Sequence, residues 1–217
     1  MAQAQSFQNI FKIPELKRRI LFTVGILIVF RLGVHITSPG IDYTALAEFF
    51  QTQKGTLFGM YDMFVGGALG RAAIFALGIM PYISASIIFQ LLTSVFPYFE
   101  KLQKEGDEGR KKITQYTRYG TVLISLVQSY GISIWLTSQV PRAIIMEPGP
   151  GFMAITILTL TTGAVFVMWL GEQITERGIG NGMSLLIFFG IVEGLPGAIF
   201  RSIGLWQSDV LPTINII

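Results

Sequence analysis

The sequence has no cysteine and a single histidine, His35. A disulfide framework, a thiolate metal site and a cysteine nucleophile are therefore excluded. A zinc site would have to be built mostly from carboxylates, which zinc chemistry disfavours. Charge is also scarce. Asp, Glu, Lys and Arg make up 13% of the 217 residues, against roughly 25% in an average soluble domain. The surface of a water-soluble globule of this size needs more charge than that. The net charge of +3 is too small to argue for nucleic acid. What the chain has instead is apolar mass: 51% hydrophobic residues, 17 of them Phe, and a mean hydropathy of +0.58. That composition disfavours a disordered chain and a soluble enzyme, and it makes an integral membrane protein the default.

A membrane helix needs about 20 mostly apolar residues. Five segments qualify, near Ile20–Ile36, Ala72–Phe96, Tyr119–Val140, Phe152–Leu170 and Met183–Phe200. No small-x-small cleavage site follows the first, so it reads as a retained helix rather than a signal peptide. The flanking cations set the orientation. Lys12, Lys17, Arg18 and Arg19, the loop cations Lys101, Lys104, Arg110, Lys111, Lys112 and Arg118, and Arg177 fall on one side. Lys54, Arg71, Arg142 and Arg201 fall on the other. This places the N-terminus in the cytoplasm and the C-terminus outside. Residues 1–19 read as an interfacial tail with Pro14 inside a short amphipathic helix.

Several features do not suit plain lipid-facing helices. The stretch Leu57–Gly70 is apolar but too short to cross, and Gly59, Gly66, Gly67 and Gly70 break it. Non-spanning backbone at membrane depth is tolerated inside protein or beside a water-filled cavity. The stretch is thus either a short re-entrant helix or an amphipathic loop on the outer leaflet. In span two, Pro81 invites a kink, and Ser84, Ser86 and Gln90 add polar groups that seek protein partners. Span three carries Ser125, Gln128, Ser129 and Ser133 and should face protein or water. Ile79 and Ile83 lie four apart, as do Ile187 and Ile191. Such pairs share a helix face and suit either packing or a hydrophobic constriction. Glu193 should face the interior or the interface. Glu172 and Glu176 read as a solvated carboxylate pair at a loop, and Gly178–Gly182 as the turn that starts span five. No H-E-x-x-H, Walker A, G-x-S-x-G or potassium-filter sequence is present. No enzyme activity, cofactor or metal site is expected.

Four stretches together resemble the bacterial SecY family, the central subunits of the Sec protein-conducting channel. They are Lys12-Ile-Pro-Glu-Leu-Lys-Arg-Arg-Ile20, Phe75-Ala-Leu-Gly-Ile-Met-Pro-Tyr-Ile-Ser-Ala-Ser-Ile-Ile-Phe-Gln-Leu-Leu92, Glu105-Gly-Asp-Glu-Gly-Arg-Lys-Lys-Ile-Thr-Gln-Tyr-Thr-Arg-Tyr119 and Glu176-Arg-Gly-Ile-Gly-Asn-Gly-Met-Ser184. The resemblance runs from about Ile10 to Pro196. Val65 and Phe89 depart from it, standing where the family has Gly and Ile. It implies an all-α membrane protein: five transmembrane helices plus a short re-entrant plug helix, one half of an inverted-repeat ten-helix channel. Residues 20–200 would form that half, with the plug near 57–72 and a cytoplasmic loop near 98–118. Residues 201–217 would be an external linker to the second half.

The resemblance also assigns roles. Ile79, Ile83, Ile187 and Ile191 would supply this half of the pore ring. Phe58, Tyr61, Phe64, Gly66, Gly67, Leu69 and Arg71 would belong to the plug. Ser84, Gln90 and Gln128 would serve the polar cluster of a lateral gate made by spans two and three. Arg110, Lys111, Lys112 and Arg177 would meet cytoplasmic partners. The implied partners are SecE and SecG, the motor SecA and the ribosome transiently, the second half of SecY, membrane lipids and an unfolded polypeptide substrate, with no nucleic-acid specificity. The implied location is the bacterial plasma membrane. Two readings from other classes stand beside this one. A secondary transporter of a small solute would need polar or ionisable ligands deep in the spans, where Arg31 and Glu193 both sit near span ends. A purely structural membrane subunit would need none.

Overall fold

The computed structural model describes residues 13–52, 57–139 and 149–207. Eight helices follow one another there: α1 Pro14–Val34, α2 Tyr43–Thr52, α3 Leu57–Phe64, α4 Met80–Val95, α5 Pro97–Lys104, α6 Asp107–Gln139, α7 Pro150–Arg177 and α8 Gly182–Gln207. No strand forms among the described residues, and one isolated antiparallel bridge joins Thr37 to Ala73. Lys12, Lys54 and Arg142 lie outside the described residues, as does the side chain of Arg201.

Helix α1 starts with Pro14 in its first turn, where a missing N–H leaves nothing unpaired. From Pro14 onward the expected interfacial tail is continuous with α1, and its residues 1–12 lie outside the described part. Thr23, Ile26, Phe30, Gly33 and Val34 recur at helical spacing and form its buried face. Leu21, Val24, Ile28, Val29 and Leu32 on the other side remain 42–62% exposed. One face meets protein and the other is suited to lipid.

Span two was expected from Ala72, but the helix begins at Met80. Backbone with positive φ at Gly66, Gly67, Ala72 and Gly78 folds the preceding residues into compact turns. Pro81 thus falls in the first turn of α4 and starts the helix instead of kinking it. The bend comes later. Phe96, held extended at φ −100° and ψ 122° ahead of Pro97, turns α5 by 97° from α4. The loop expected near 98–118 is mostly helical, with α5, a turn at Glu105–Gly106 and the first turns of α6. Helix α8 continues to Gln207, into the segment expected as a linker.

Helices α6 and α7 form the most extensive packed pair, and α4 packs on α6. The α6 face that makes this possible is small and polar. Thr121, Ser125, Ser129 and Ser133, four residues apart, are fully buried, and Thr117 nearly so. Most of these hydroxyls are satisfied at home: Thr121 donates to Thr117 O at 2.8 Å, Ser125 to Val122 O at 2.8 Å and Ser129 to Ser125 O at 2.6 Å, while Ser133 Oγ has no hydrogen-bond partner. Ser129 Oγ also lies 3.0 Å from Thr161 Oγ1 of α7, tying the helices together. Span three thus faces protein, as its serines implied. The rings of Phe30 on α1, Phe75, and Phe166 and Trp169 on α7 stack in series with centroids 5.6–5.9 Å apart.

By length and composition α6 and α7 can each cross a membrane, and the bent pair α4–α5 makes a third if counted as one span. In α8 the apolar run Gly182–Leu195 is shorter. Helix α1 is 21 residues long but carries Lys17, Arg18, Arg19 and Arg31, so charge stands at both of its ends.

Candidate functional site

The segment from α3 to Ile79 is the feature that ordinary helix packing does not explain. It does not lie on the outside of the bundle. Val65, Ala68, Leu69, Ala72, Ala73, Phe75, Ala76, Leu77 and Ile79 are all buried in one apolar core with residues of α1, α7 and α8. The stretch is divided: Met60, Met63 and Phe64 of α3 remain exposed, whereas Val65, Ala68 and Leu69 after it are buried, so the chain enters the core as it leaves α3.

Its backbone polar groups are satisfied locally, as buried backbone requires. Asp62 organises the turn. Its carboxylate Oδ1 accepts from Gly70 N at 2.8 Å, and its carbonyl accepts from Gly67 N at 2.8 Å. Burial pushes the Asp62 carboxyl above its ordinary range, while the N–H groups of Gly70 and Leu69 and the nearby Arg71 pull it back. The Tyr61 hydroxyl donates to Leu77 O at 3.0 Å. Ser38 N donates to Ala72 O and Ile74 N to Ile36 O, each at 2.9 Å, which fastens the segment to the chain leaving α1.

Helix α3 rests against α8 at Gly190. A Cβ there would meet Phe64 O at 2.9 Å and Gly66 N at 3.4 Å, so the contact depends on glycine. At the same place Arg31 of α1 forms an ion pair with Glu193 of α8, through Nη1 and Oε2. The sequence marks both residues as out of place in lipid but gives no sign that they pair, since they lie on the first and last helices.

Among the expected pore isoleucines, Ile79 is buried and Ile83 and Ile187 are half-buried against the same apolar core. Ile191 is half-buried. Among the expected plug residues, Leu69 and Gly66 are buried, Tyr61, Gly67 and Arg71 half-buried, and Phe64 exposed. The side chain of Phe58 lies outside the described part.

The polar residues assigned to a gate line different hollows. Gln128 borders a cavity of about 520 Å³ with Tyr61, Leu69, Leu77, Ile132 and Trp135, and its Oε1 is buried with no hydrogen-bond partner. Gln90 lines a more polar cleft under the α4–α5 elbow with Ser86, Thr93, Gln103, Arg110 and Thr114, and donates to Ser86 Oγ at 3.2 Å. Ser84 is half-buried on α4. Phe89, Phe99, Tyr98 and Tyr116 close the elbow edge-to-face and stacked, with centroids 5.3–6.3 Å apart.

On the charged side, Arg110, Lys111, Lys112 and Arg177 are exposed, and Lys112 lies 3.6 Å from Glu105. Glu172 corrects the reading of a solvated carboxylate pair. It stands on α7 with a side chain 13% exposed and accepts from Arg118 Nε at 2.8 Å. Asn181 caps α8, its Oδ1 accepting from Ser184 N at 3.1 Å, so the Gly178–Gly182 turn does start that helix.

Comparisons with known proteins agree on one family. A family model described as SecY matches residues 73–217. The protein translocase subunit SecY of Buchnera aphidicola subsp. Acyrthosiphon kondoi is 57% identical over 190 residues, covering 87% of this chain and 53% of that protein. The protein of the same name from Escherichia coli strain K12 is 56% identical over 190 residues, covering 87% and 43%. That from Vibrio cholerae serotype O1 is 55% identical over 191 residues, covering 88% and 43%. The chain thus spans about half the length of the curated relatives it matches, or a little less. Two solved structures are similar in fold, described as Sec61 in the canine ribosome-channel complex from the endoplasmic reticulum and as the structure of a protein conducting channel. Each has a TM-score of 0.56 at 18% identity and covers 85% of this chain and 40% of that chain. The fold is that of an all-α membrane channel.

Proposed function

The chain belongs to the SecY family, and on that premise we propose that it forms part of a protein-conducting channel that passes unfolded polypeptides across a membrane. The observation that carries the reading is the apolar segment between α3 and Ile79. It is too short to span, yet it is packed inside the bundle beside Ile83 and Ile187. In this reading residues 57–72 are the plug that closes the resting path from outside. Ile79, Ile83, Ile187 and Ile191 are this chain's share of a constriction around the substrate. Branched apolar side chains suit that task, since they close around any sequence and exclude water and ions when the path is empty.

Helices α4 and α6 form one wall of a lateral opening into lipid, with Ser84, Gln90 and Gln128 on it. Their unpaired or weakly paired polar groups make opening a tunable equilibrium. The chain performs no chemistry, and the driving force comes from partners. These are SecE and SecG in the membrane, SecA and the ribosome at the exposed cations Arg110, Lys111, Lys112 and Arg177, and the complementary half of a full-length SecY. The location is the bacterial plasma membrane, with the N-terminus in the cytoplasm. The small-solute transporter lacks support: the relatives are translocase subunits.

The test is site-specific crosslinking. A photo-crosslinker is placed at Ile83 or Ile187, with the complementary half and partner subunits co-expressed, and a secretory chain is stalled in transit. Substrate adducts at both positions that vanish without a substrate are expected. An assembled complex that yields no adducts would return both isoleucines to ordinary packing.

A further inference from the structure

The Gly66–Gly67 turn, where the chain leaves α3, is backed by charge. Arg31, in the last turn of α1, pairs with Glu193 of α8, and the two side chains are 32% and 28% exposed. The same carboxylate faces the turn: a Cβ on Gly66 would meet Glu193 Oε2 at 3.2 Å and Gly190 Cα at 3.5 Å. Arg71 lies close enough to repel Arg31 and to attract Asp62, which itself anchors Gly70. Glu193 is therefore the carboxylate set between Arg31 and the turn. Helix α1 packs mainly on α7 and meets α8 at few points, so this pair is a large part of what joins the two helices on this side. A charge in a partly buried place that loses its partner destabilises its surroundings far more than a surface pair does.

We propose that the Arg31–Glu193 ion pair is a positioning strut: it spans α1 and α8 behind the Gly66–Gly67 turn and holds α3 in its docked place. The functional consequence rests on reading residues 57–72 as a plug. Losing the strut would free α3 more often, and with it the resting seal. Neither residue touches the reacting path in this account. Both act through the turn.

The absence of cysteine from the chain makes a clean test available. Val65, just before the turn, is 3% exposed, so a Val65→Cys reporter labels only when the segment lifts. The reporter is placed in the chain with the complementary half of a full-length relative and its partner subunits co-expressed. A membrane-impermeant maleimide is added from the outer side, and resting ion conductance is recorded in parallel. Glu193→Gln and Arg31→Gln should each speed labelling by at least about fivefold, the factor that follows from losing a modest stabilising contact. The charge-swapped double variant, Arg31→Glu with Glu193→Arg, should slow it again toward the parent rate. If a neutral variant fails to accumulate, Glu193→Asp, which keeps the charge on a shorter stem, should give an intermediate rate. Equal labelling in parent and single variants would overturn the strut. So would faster labelling that the charge swap does not slow. Faster labelling with unchanged conductance would keep the strut and count against the plug.

Discussion

Two glycines one turn apart on α8 allow the docking of α3 to be tested by a matched pair of substitutions. A Cβ on residue 190 would stand 2.9 Å from Phe64 O and 3.4 Å from Gly66 N. Both neighbours are backbone, so no rotamer change relieves the contact. A Cβ on residue 194 meets nothing within 4 Å. Replacing glycine by alanine inside a helix favours the helix by about 1 kcal/mol at either site, and that gain cancels in the comparison. What remains is overpacking against α3, which costs about 1–3 kcal/mol. A shift of that size in the docking equilibrium is about 5- to 150-fold in the undocked population. Planar-bilayer recordings of the assembled, substrate-free complex should therefore show a resting conductance that rises in Gly190→Ala and stays at the parent level in Gly194→Ala. Equal conductance in the two variants, with equal assembly, would refute the claim that the α3–α8 contact seals the path.

Three further outcomes follow from other parts of the site. Replacing Ile83 and Ile187 together with Gly should raise resting ion leak and relax signal-sequence selectivity; an unchanged conductance would count against their place in a constriction. Ser129→Ala removes one interhelical hydrogen bond, worth about 0.6 kcal/mol on average in membranes, whereas Ser129→Leu forces bulk into a fully buried site at a cost of about 1–3 kcal/mol. Thermal unfolding of the detergent-solubilised complex should rank Leu well below Ala, and equal midpoints would contradict the tight α6–α7 seam. Burial raises the Asp62 carboxyl above its ordinary value, so the folded segment holds its proton more readily than the unfolded chain. Its contribution to stability is then greatest at low pH and declines as pH rises through the raised pKa. Maleimide labelling of the Val65→Cys reporter, divided at each pH by the rate of a free thiol, should slow as pH falls toward the raised Asp62 pKa. Asp62→Asn should remove that dependence while keeping an acceptor for Gly70 N.

What could be read from the chain alone follows the range of each interaction. Ser125, Ser129 and Ser133 are four apart, so their common face and its burial against a neighbour were visible in the spacing. The Gly178–Gly182 turn and the start of α8 were equally local. The interior position of Val65–Ile79 is half legible: the apolar content and glycines of the stretch mark it as unable to span, but only packing against α1, α7 and α8 shows that this part lies inside. Pro81 was misplaced because the same residue kinks a helix or begins one, depending on where the helix starts. That start is set by positive-φ turns at Gly66, Gly67, Ala72 and Gly78. The charged stretch around residues 98–118 hid α5 and the first turns of α6, because density of charge says where water is and not what the backbone does.

The pairs Arg31–Glu193 and Arg118–Glu172 were out of reach for a plainer reason. Each joins residues on different helices, and nothing in one sequence couples them. The cost of an unpaired charge predicts that such residues have partners, yet it does not name them. The two pairs also serve opposite ends of the bundle. Arg118–Glu172 joins α6 to α7, two helices already locked by a seam of small residues, and its loss would leave the 13% exposed Glu172 side chain unpaired at that seam. Arg31–Glu193 joins α1 to α8, where little else does, beside a turn built on two glycines. An ion pair of the same chemistry thus stands beside a closed seam in one place and beside a glycine turn in the other, so what its loss disturbs is set by the packing around it.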